Sequence, residues 1–229
     1  MRLFENKDCI IGMKEYPDNY FDLAIVDPPY GTKQIKNNLH GKINWNENIP
    51  SDEYFNQLYR VSKDQFIFGA NYFNKNIKGG GRIVWNKMLT PIYEKTFSHC
   101  EIIYTSKFKR TVIYNYQWSG NVQNGRMNTK NIGVDRRIHP TQKPIAIYYW
   151  LVQNYANSGD KILDTHVGSA SSLIVFNELG FDFVGYEIEE KIYNKAIKRM
   201  KEYESQLLLF KPAGSGRQKT EQTTLFTKD

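Results

Sequence analysis

"GDKILDTHVGSASS", residues 159–172, followed closely by "GFDFVGYEIEEKIY", residues 180–193, decides the fold. An apolar run ends in Asp164, a turn of small residues follows, and a helix starts near Ser169 and closes before Gly180. A second apolar run then ends in Glu187, about twenty residues further on, the spacing of a βαβ unit that holds a nucleotide cofactor. Small residues in the turn let the backbone approach a ligand closely, and a carboxylate at the end of the second strand can bind ribose hydroxyls. By itself such a unit is common to many α/β enzymes, and Glu187 reads equally well as a surface acid.

Working outward, apolar runs bounded by turn residues predict strands at 23–26, 65–68, 82–85, 101–104, 161–163 and 183–186, with a short one around 8–11. Helices are predicted over 51–61, capped by Ser51, over 145–155, opened by Pro144, over 169–179 and over 189–206. Strands separated by helical crossovers define an α/β fold, a doubly wound and mostly parallel sheet covered on both faces. The strand in "FDLAIVDPPYG", residues 21–31, ends abruptly in Asp27, Pro28, Pro29 and Tyr30. Two prolines fix their own backbone angles and donate nothing to a ladder, so they present an acid and an aromatic ring in one rigid conformation. If this strand lies beside the 161–163 strand, Tyr30 and Gly168 face one crevice, because ligands of open parallel sheets bind where the strand order reverses.

The 229 residues suffice for one well-buried domain, expected over 1–210, with the polar, Gly- and Ser-containing 211–229 as a flexible tail. No apolar stretch reaches the length of a membrane span and no signal-peptide core opens the chain, so a cytoplasmic protein is expected. Cys9 and Cys100 are too few for a disulfide framework, and neither stands in metal-ligand spacing with a histidine, so no metal is expected. The formal charge of +7 favours a polyanionic partner. Between Thr105 and Pro144 the bases Lys107, Lys109, Arg110, Arg126, Lys130, Arg136, Arg137 and Lys143 meet one acid, Asp135. Phe108, Tyr114, Tyr116 and Trp118 are interleaved with them, which suits phosphate contacts combined with base stacking as well as it suits a solvated basic loop. Residues 105–138 fit neither period and read as an irregular insertion.

Asp-Pro-Pro-Tyr after an apolar strand, "HPTQKP" at 139–144 and "LDTHVGSASS" behind it together resemble the S-adenosylmethionine-dependent amino-methyltransferases of DNA. The order, catalytic half before cofactor half, resembles the permuted β class. The segments "IPSDEYFNQLYRVSKDQFIFGANYF", "GRIVWNKM" and "HCEIIYTSKF" look like those of phage and prophage members. The resemblance implies a Rossmann-like class I methyltransferase fold and methylation of the N6 amine of a flipped-out adenine in double-stranded DNA. The N4 amine of cytosine is the alternative, with RNA or protein glutamine less favoured. It implies Asp27, Pro28, Pro29 and Tyr30 as catalytic. It also implies a donor site formed by Asp27, by Asp8 and Cys9 near the adenine ring, by Glu187 on the ribose, and by Asp164, His166, Gly168, Ser169, Thr141 and Lys143 along the methionine portion. DNA contacts are expected from Lys107, Lys109, Arg110, Trp118, Arg126, Lys130, Arg136 and Arg137, in the place of the family's target-recognition region. That region is short, which implies either a short site or recognition shared between two protomers of a homodimer. The family's cofactor loop usually carries a second glycine where this chain has Ala170, here expected as a good first-turn residue.

Two further segments, Gln206–Phe210 and Gln222–Phe226, share Gln-x-x-Leu-Phe. The pattern resembles the peptide by which bacterial polymerases and repair proteins dock on the sliding clamp. Residues 207–210 read equally as the end of the last helix packing on the sheet.

Overall fold

The computed structural model describes residues 1–31, 49–77, 79–89, 98–118, 122–123, 126–127, 138–139 and 141–209. Eight strands share one sheet: β1 (Arg2–Glu5), β2 (Phe21–Val26), β3 (Ser62–Phe68), β4 (Gly81–Asn86), β5 (Cys100–Thr105), β6 (Thr111–Asn115), β9 (Lys161–Asp164) and β10 (Asp182–Tyr186). Their order is β1-β10-β9-β2-β3-β5-β4-β6, and β7 (Val122–Gln123) pairs with β8 (Arg126–Met127) in a separate ribbon. β5 alone runs against its two neighbours; every other pairing in the large sheet is parallel.

Alternation along the central strands builds two apolar layers, because successive side chains point to opposite faces. Leu23, Ile25, Phe66 and Phe68 pack with residues of α3 (Ile145–Tyr155), α4 (Ser171–Glu178) and α5 (Glu190–Leu209). Ala24, Val26 and Ile67 pack on the other face with Met13 of α1 (Cys9–Lys14) and with Tyr54, Phe55 and Leu58 of α2 (Asp52–Val61). Strands buried on both faces read as continuous apolar runs, which is why β2 stood out in the sequence. Ser51 caps α2, its hydroxyl accepting from the Tyr54 amide at 3.3 Å.

Residues 8–11 are not a strand. Asp8 accepts from the amides of Ile10 at 2.8 Å and Ile11 at 3.0 Å and so starts α1, while the strand lies earlier, as β1. The predicted insertion also begins inside the sheet. Thr105 closes β5, and residues 111–115 add an edge strand parallel to β4, with Ile113 exposed on its free face. The last helix extends through Leu209, past the predicted end at Gln206. The tail 211–229, including Gln222–Phe226, lies outside the described residues, as does Phe210. Among the described residues no helix is long and apolar enough to cross a membrane, and no cluster of His, Cys, Asp and Glu could hold a metal ion.

Candidate active site

β2 and β9 are neighbours, with Leu23 opposite Ile162 and Ala24 opposite Leu163. The strand order reverses between them, so Asp27 and Asp164 leave the sheet side by side at the switch point. Glu187 follows β10 on the other side of β9, and Asp8 follows β1 beyond it. Residues far apart in the chain thus bring their carboxylates to one edge, in the order Asp8, Glu187, Asp164, Asp27.

Around Asp27 the contacts are polar and tight. Tyr30 donates its hydroxyl to Asp27 Oδ1 at 2.6 Å, and Lys143 Nζ donates to Asp27 Oδ2 at 2.8 Å and to the Tyr30 oxygen at 3.2 Å. Burial pushes the Asp27 carboxyl above its ordinary range, against the pull of the Lys143 ammonium. Lys143 itself, 7% exposed, is held above its ordinary range; burial works against this, and Asp27 and Glu101 outweigh it. The Tyr30 ring stacks on Tyr72 with centroids 4.9 Å apart and planes 11° off parallel, and Phe73 meets it edge-on. Gly69 closes against that ring: a Cβ there would lie 2.3 Å from a Tyr30 ring carbon.

On the other side of the switch point the β9 turn forms a polar pocket. Asp164 is buried, accepts from the His166 amide at 3.0 Å and from the Ser172 hydroxyl, and burial pushes its carboxyl up to about 7. His166 Nδ1 lies 2.9 Å from Thr165 Oγ1, which meets the Tyr54 hydroxyl at 2.8 Å; burial brings the imidazole down to about 4. Glu187 accepts from the amides of Gly168 and Glu189, both at 2.9 Å, and burial pushes its carboxyl up. Gly168 has φ +55°, and a Cβ there would meet only the His166 carbonyl oxygen, at 4.0 Å, so this backbone borders open space. Arg199 of α5 donates to the Ser169 carbonyl and to Ser171 Oγ, and Ser171 Oγ donates to the Lys143 carbonyl at 2.8 Å. One buried guanidinium therefore ties the turn to the segment carrying Lys143.

The other expected residues take the following places. Lys143 reaches Asp27 and Tyr30, since its ammonium needs a carboxylate once buried. Thr141 is exposed, its hydroxyl 3.2 Å from His139 Nδ1. The Asp8 carboxylate is engaged in capping α1, and burial pushes the Cys9 thiol up to about 12. Ala170 is not in the first turn: it is the N-cap of α4 with φ +63°, the left-handed conformation that a glycine would adopt freely. Trp118 is packed into the core at 8% exposure and offers no free face for a base. Lys107 pairs with Asp64 at 3.1 Å, whereas Lys109 and Arg110 are exposed, Arg110 lying over the Phe108 ring. The side chain of Arg126, and Lys130, Arg136 and Arg137 altogether, lie outside the described residues. Glu101, Lys87, Tyr72, Tyr54 and Arg199 enter the site with no motif to announce them.

The strand order, the single antiparallel strand and the site at the carboxyl ends define a Rossmann-like class I methyltransferase fold. The M1.HpyAVI–SAM complex matches with a TM-score of 0.56 and 20% identity over 87% of this chain and all of that one. The cytosine-N4-specific PvuII DNA methyltransferase matches with a TM-score of 0.59 and 11% identity over 92% of this chain and 94% of that one. The chain itself belongs to the DNA methylase family, whose profile matches residues 82–198, just over half of the sequence. The type II methyltransferase M.HpaI of Haemophilus parainfluenzae is 26% identical over 84% of this chain and 72% of its own length.

Proposed function

We propose that this protein transfers a methyl group from S-adenosylmethionine to the N6 amine of an adenine turned out of duplex DNA. The observation that carries the reading is the Asp27–Tyr30–Lys143 cluster, held rigidly at the switch point next to the Gly168 turn. The residues fit the methyl donor: Glu187 offers carboxylate oxygens for hydroxyls, the open side of Gly168 admits a ligand against the backbone, and Asp27 and Asp164 suit a cationic centre. Bound there, S-adenosylmethionine supplies an electrophilic methyl group.

The rest follows from this chain's own residues. An exocyclic amine is a poor nucleophile because its lone pair is delocalised into the ring. A carboxylate has about four lone-pair sites, so Asp27 can accept from the amine while retaining Tyr30 and Lys143. Its burial makes it a stronger acceptor than an exposed aspartate, and charge developing on nitrogen is stabilised most strongly in such a shielded site. Pro28 has no N–H to compete with the amine, so its carbonyl is the second acceptor. Extruding the base costs a few kcal/mol. Stacking on Tyr30, backed by Tyr72, returns about 1–3 kcal/mol.

Adenine is favoured by the aspartate that leads the Pro-Pro-Tyr, which resembles the N6-adenine enzymes. Cytosine N4 is the second reading, because both amines are conjugated and exocyclic and Asp27 serves either. Incubation with labelled S-adenosylmethionine and duplex DNA, followed by nucleoside analysis, tests both: N6-methyladenine is expected, N4-methylcytosine would replace the base assignment, and label confined to RNA would overturn the reading.

A further inference from the structure

The charges around Lys143 do not stop at Asp27. Lys143 Nζ lies 2.8 Å from Asp27 Oδ2 and 3.3 Å from Glu101 Oε2, and Lys87 Nζ lies 2.8 Å from Glu101 Oε1. Asp27, Lys143, Glu101 and Lys87 therefore alternate in sign along one line, with side-chain exposures of 18%, 7%, 18% and 16%. They come from the end of β2, the segment before α3, the start of β5 and the residue after β4, and so meet only in the folded sheet. Glu101 Oε2 is shielded from solvent and makes no hydrogen bond, so it acts on Lys143 through charge.

A second buried acid beside an ion pair costs desolvation and needs a reason. An ammonium left to Asp27 alone would neutralise it and weaken it as an acceptor. We propose that Glu101, held in place by Lys87, is a positioning residue that draws Lys143 partly off Asp27 and so preserves the negative charge that binds the target amine. The proposal rests on the reading of Asp27 as the amine's acceptor.

Asp27 is faced by Lys143 and Tyr30, by Glu101 from β5, by Tyr148 from α3 and by Asp164 from β9. Burial is the largest influence on it; beyond that Lys143 lowers its pKa and Glu101 raises it. Glu101→Gln removes the counter-pull, so Lys143 goes wholly to Asp27. The acid limb of the single-turnover pH profile should move to lower pH by about 1 unit, and the plateau rate should fall about tenfold. Lys87→Met leaves Glu101 leaning on Lys143 alone, so its acid limb should move the opposite way, to higher pH.

The experiment is single-turnover methylation of duplex DNA by Glu101→Gln, Lys87→Met and Asp27→Asn across pH, with S-adenosylmethionine affinity and thermal melting measured on each. Opposite displacements of the two limbs, with donor affinity unchanged, are the expected result. Limbs that stay in place, or move together while rates fall, would reduce Glu101 to a structural role and overturn the proposal. If Glu101→Gln does not fold, the Lys87→Met limb decides alone: a shift to higher pH supports the coupling and any other outcome refutes it. Asp27→Asn keeps the two readings apart, since full activity in that variant would remove Asp27 from the chemistry, whereas an inactive variant beside unmoved limbs would sink only the coupling.

Discussion

Asp164 and His166 stand two residues apart and titrate in opposite senses. An aspartyl group with pKa about 7 when folded, against about 3.9 unfolded, keeps a proton in the native state that the unfolded chain releases. Its contribution to stability therefore falls as pH rises through that window. His166, with pKa about 4 when folded against about 6.5 unfolded, does the reverse: its contribution is complete above pH 6.5 and is lost as pH falls towards 4. Between about pH 4 and 6.5 the two largely cancel. Asp164→Asn should expose the histidine, with denaturation midpoints that rise with pH more steeply than in the parent protein. His166→Gln should expose the aspartate and tilt them the other way. Each change in slope approaches about 1.4 kcal/mol per pH unit, and chemical denaturation across that range reads it. At Ala170 the left-handed backbone costs about 1–2 kcal/mol, yet the methyl is fully buried. Ala170→Gly should therefore be neutral within about 1 kcal/mol, whereas Ala170→Val, β-branched in the same conformation, should cost at least about 2 kcal/mol in the same denaturation assay. The residue scale is also where sequence is most and least informative. Asp27, Asp164 and Glu187 were legible because each stands where an apolar run stops. The pairing of Glu101 with Lys87 and Lys143 was not, because it joins strands whose adjacency has no local signature.

Among the elements, the short 3-10 turn Ala70–Tyr72 after β3 sets the back of the stacking surface. Gly69 enters it at φ +68° and leaves no room beside Tyr30. Gly69→Ala should push the Tyr30 ring off Asp27 and lower turnover by about 10²-fold, leaving S-adenosylmethionine affinity within a factor of about two; calorimetry beside a methylation assay measures both. Elements with long, periodic patterns were readable in advance, α3 to the residue and α2 with its serine cap. Short ones divided: β9 and β10 were read, and β1 was not. β1 sets only Leu3 and Phe4 between two charged residues, and the apolar residues after Asp8 read as a strand until the Asp8 side chain is seen holding two amides. The basic residues flanking β6 hid an edge strand whose outward face is exposed in any case.

Over the whole molecule, the +7 charge sets the terms of association with a polyanion. Lys109 and Arg110, just before β6, are the exposed described members of the basic stretch, Arg110 lying over the Phe108 ring; Lys107 is engaged with Asp64 and Trp118 is packed away. Replacing Lys109 and Arg110 by alanine should weaken binding to all duplexes alike. The slope of log affinity against log salt should flatten by about 0.9 per lost phosphate contact, which a fluorescence titration at several salt concentrations would reveal. Replacing Trp118 should lower stability and leave that slope unchanged. The pairing of β1 with β10, Arg2 opposite Phe183, and of β2 with β9 has a further consequence. β1 and β2 each wait for a partner made much later in the chain before this half of the sheet can close. Such long-range contacts slow folding and expose unpaired strands during synthesis. The crevice between Asp27 and Asp164 cannot form until β9 has been made and paired with β2, so competence waits on that one pairing.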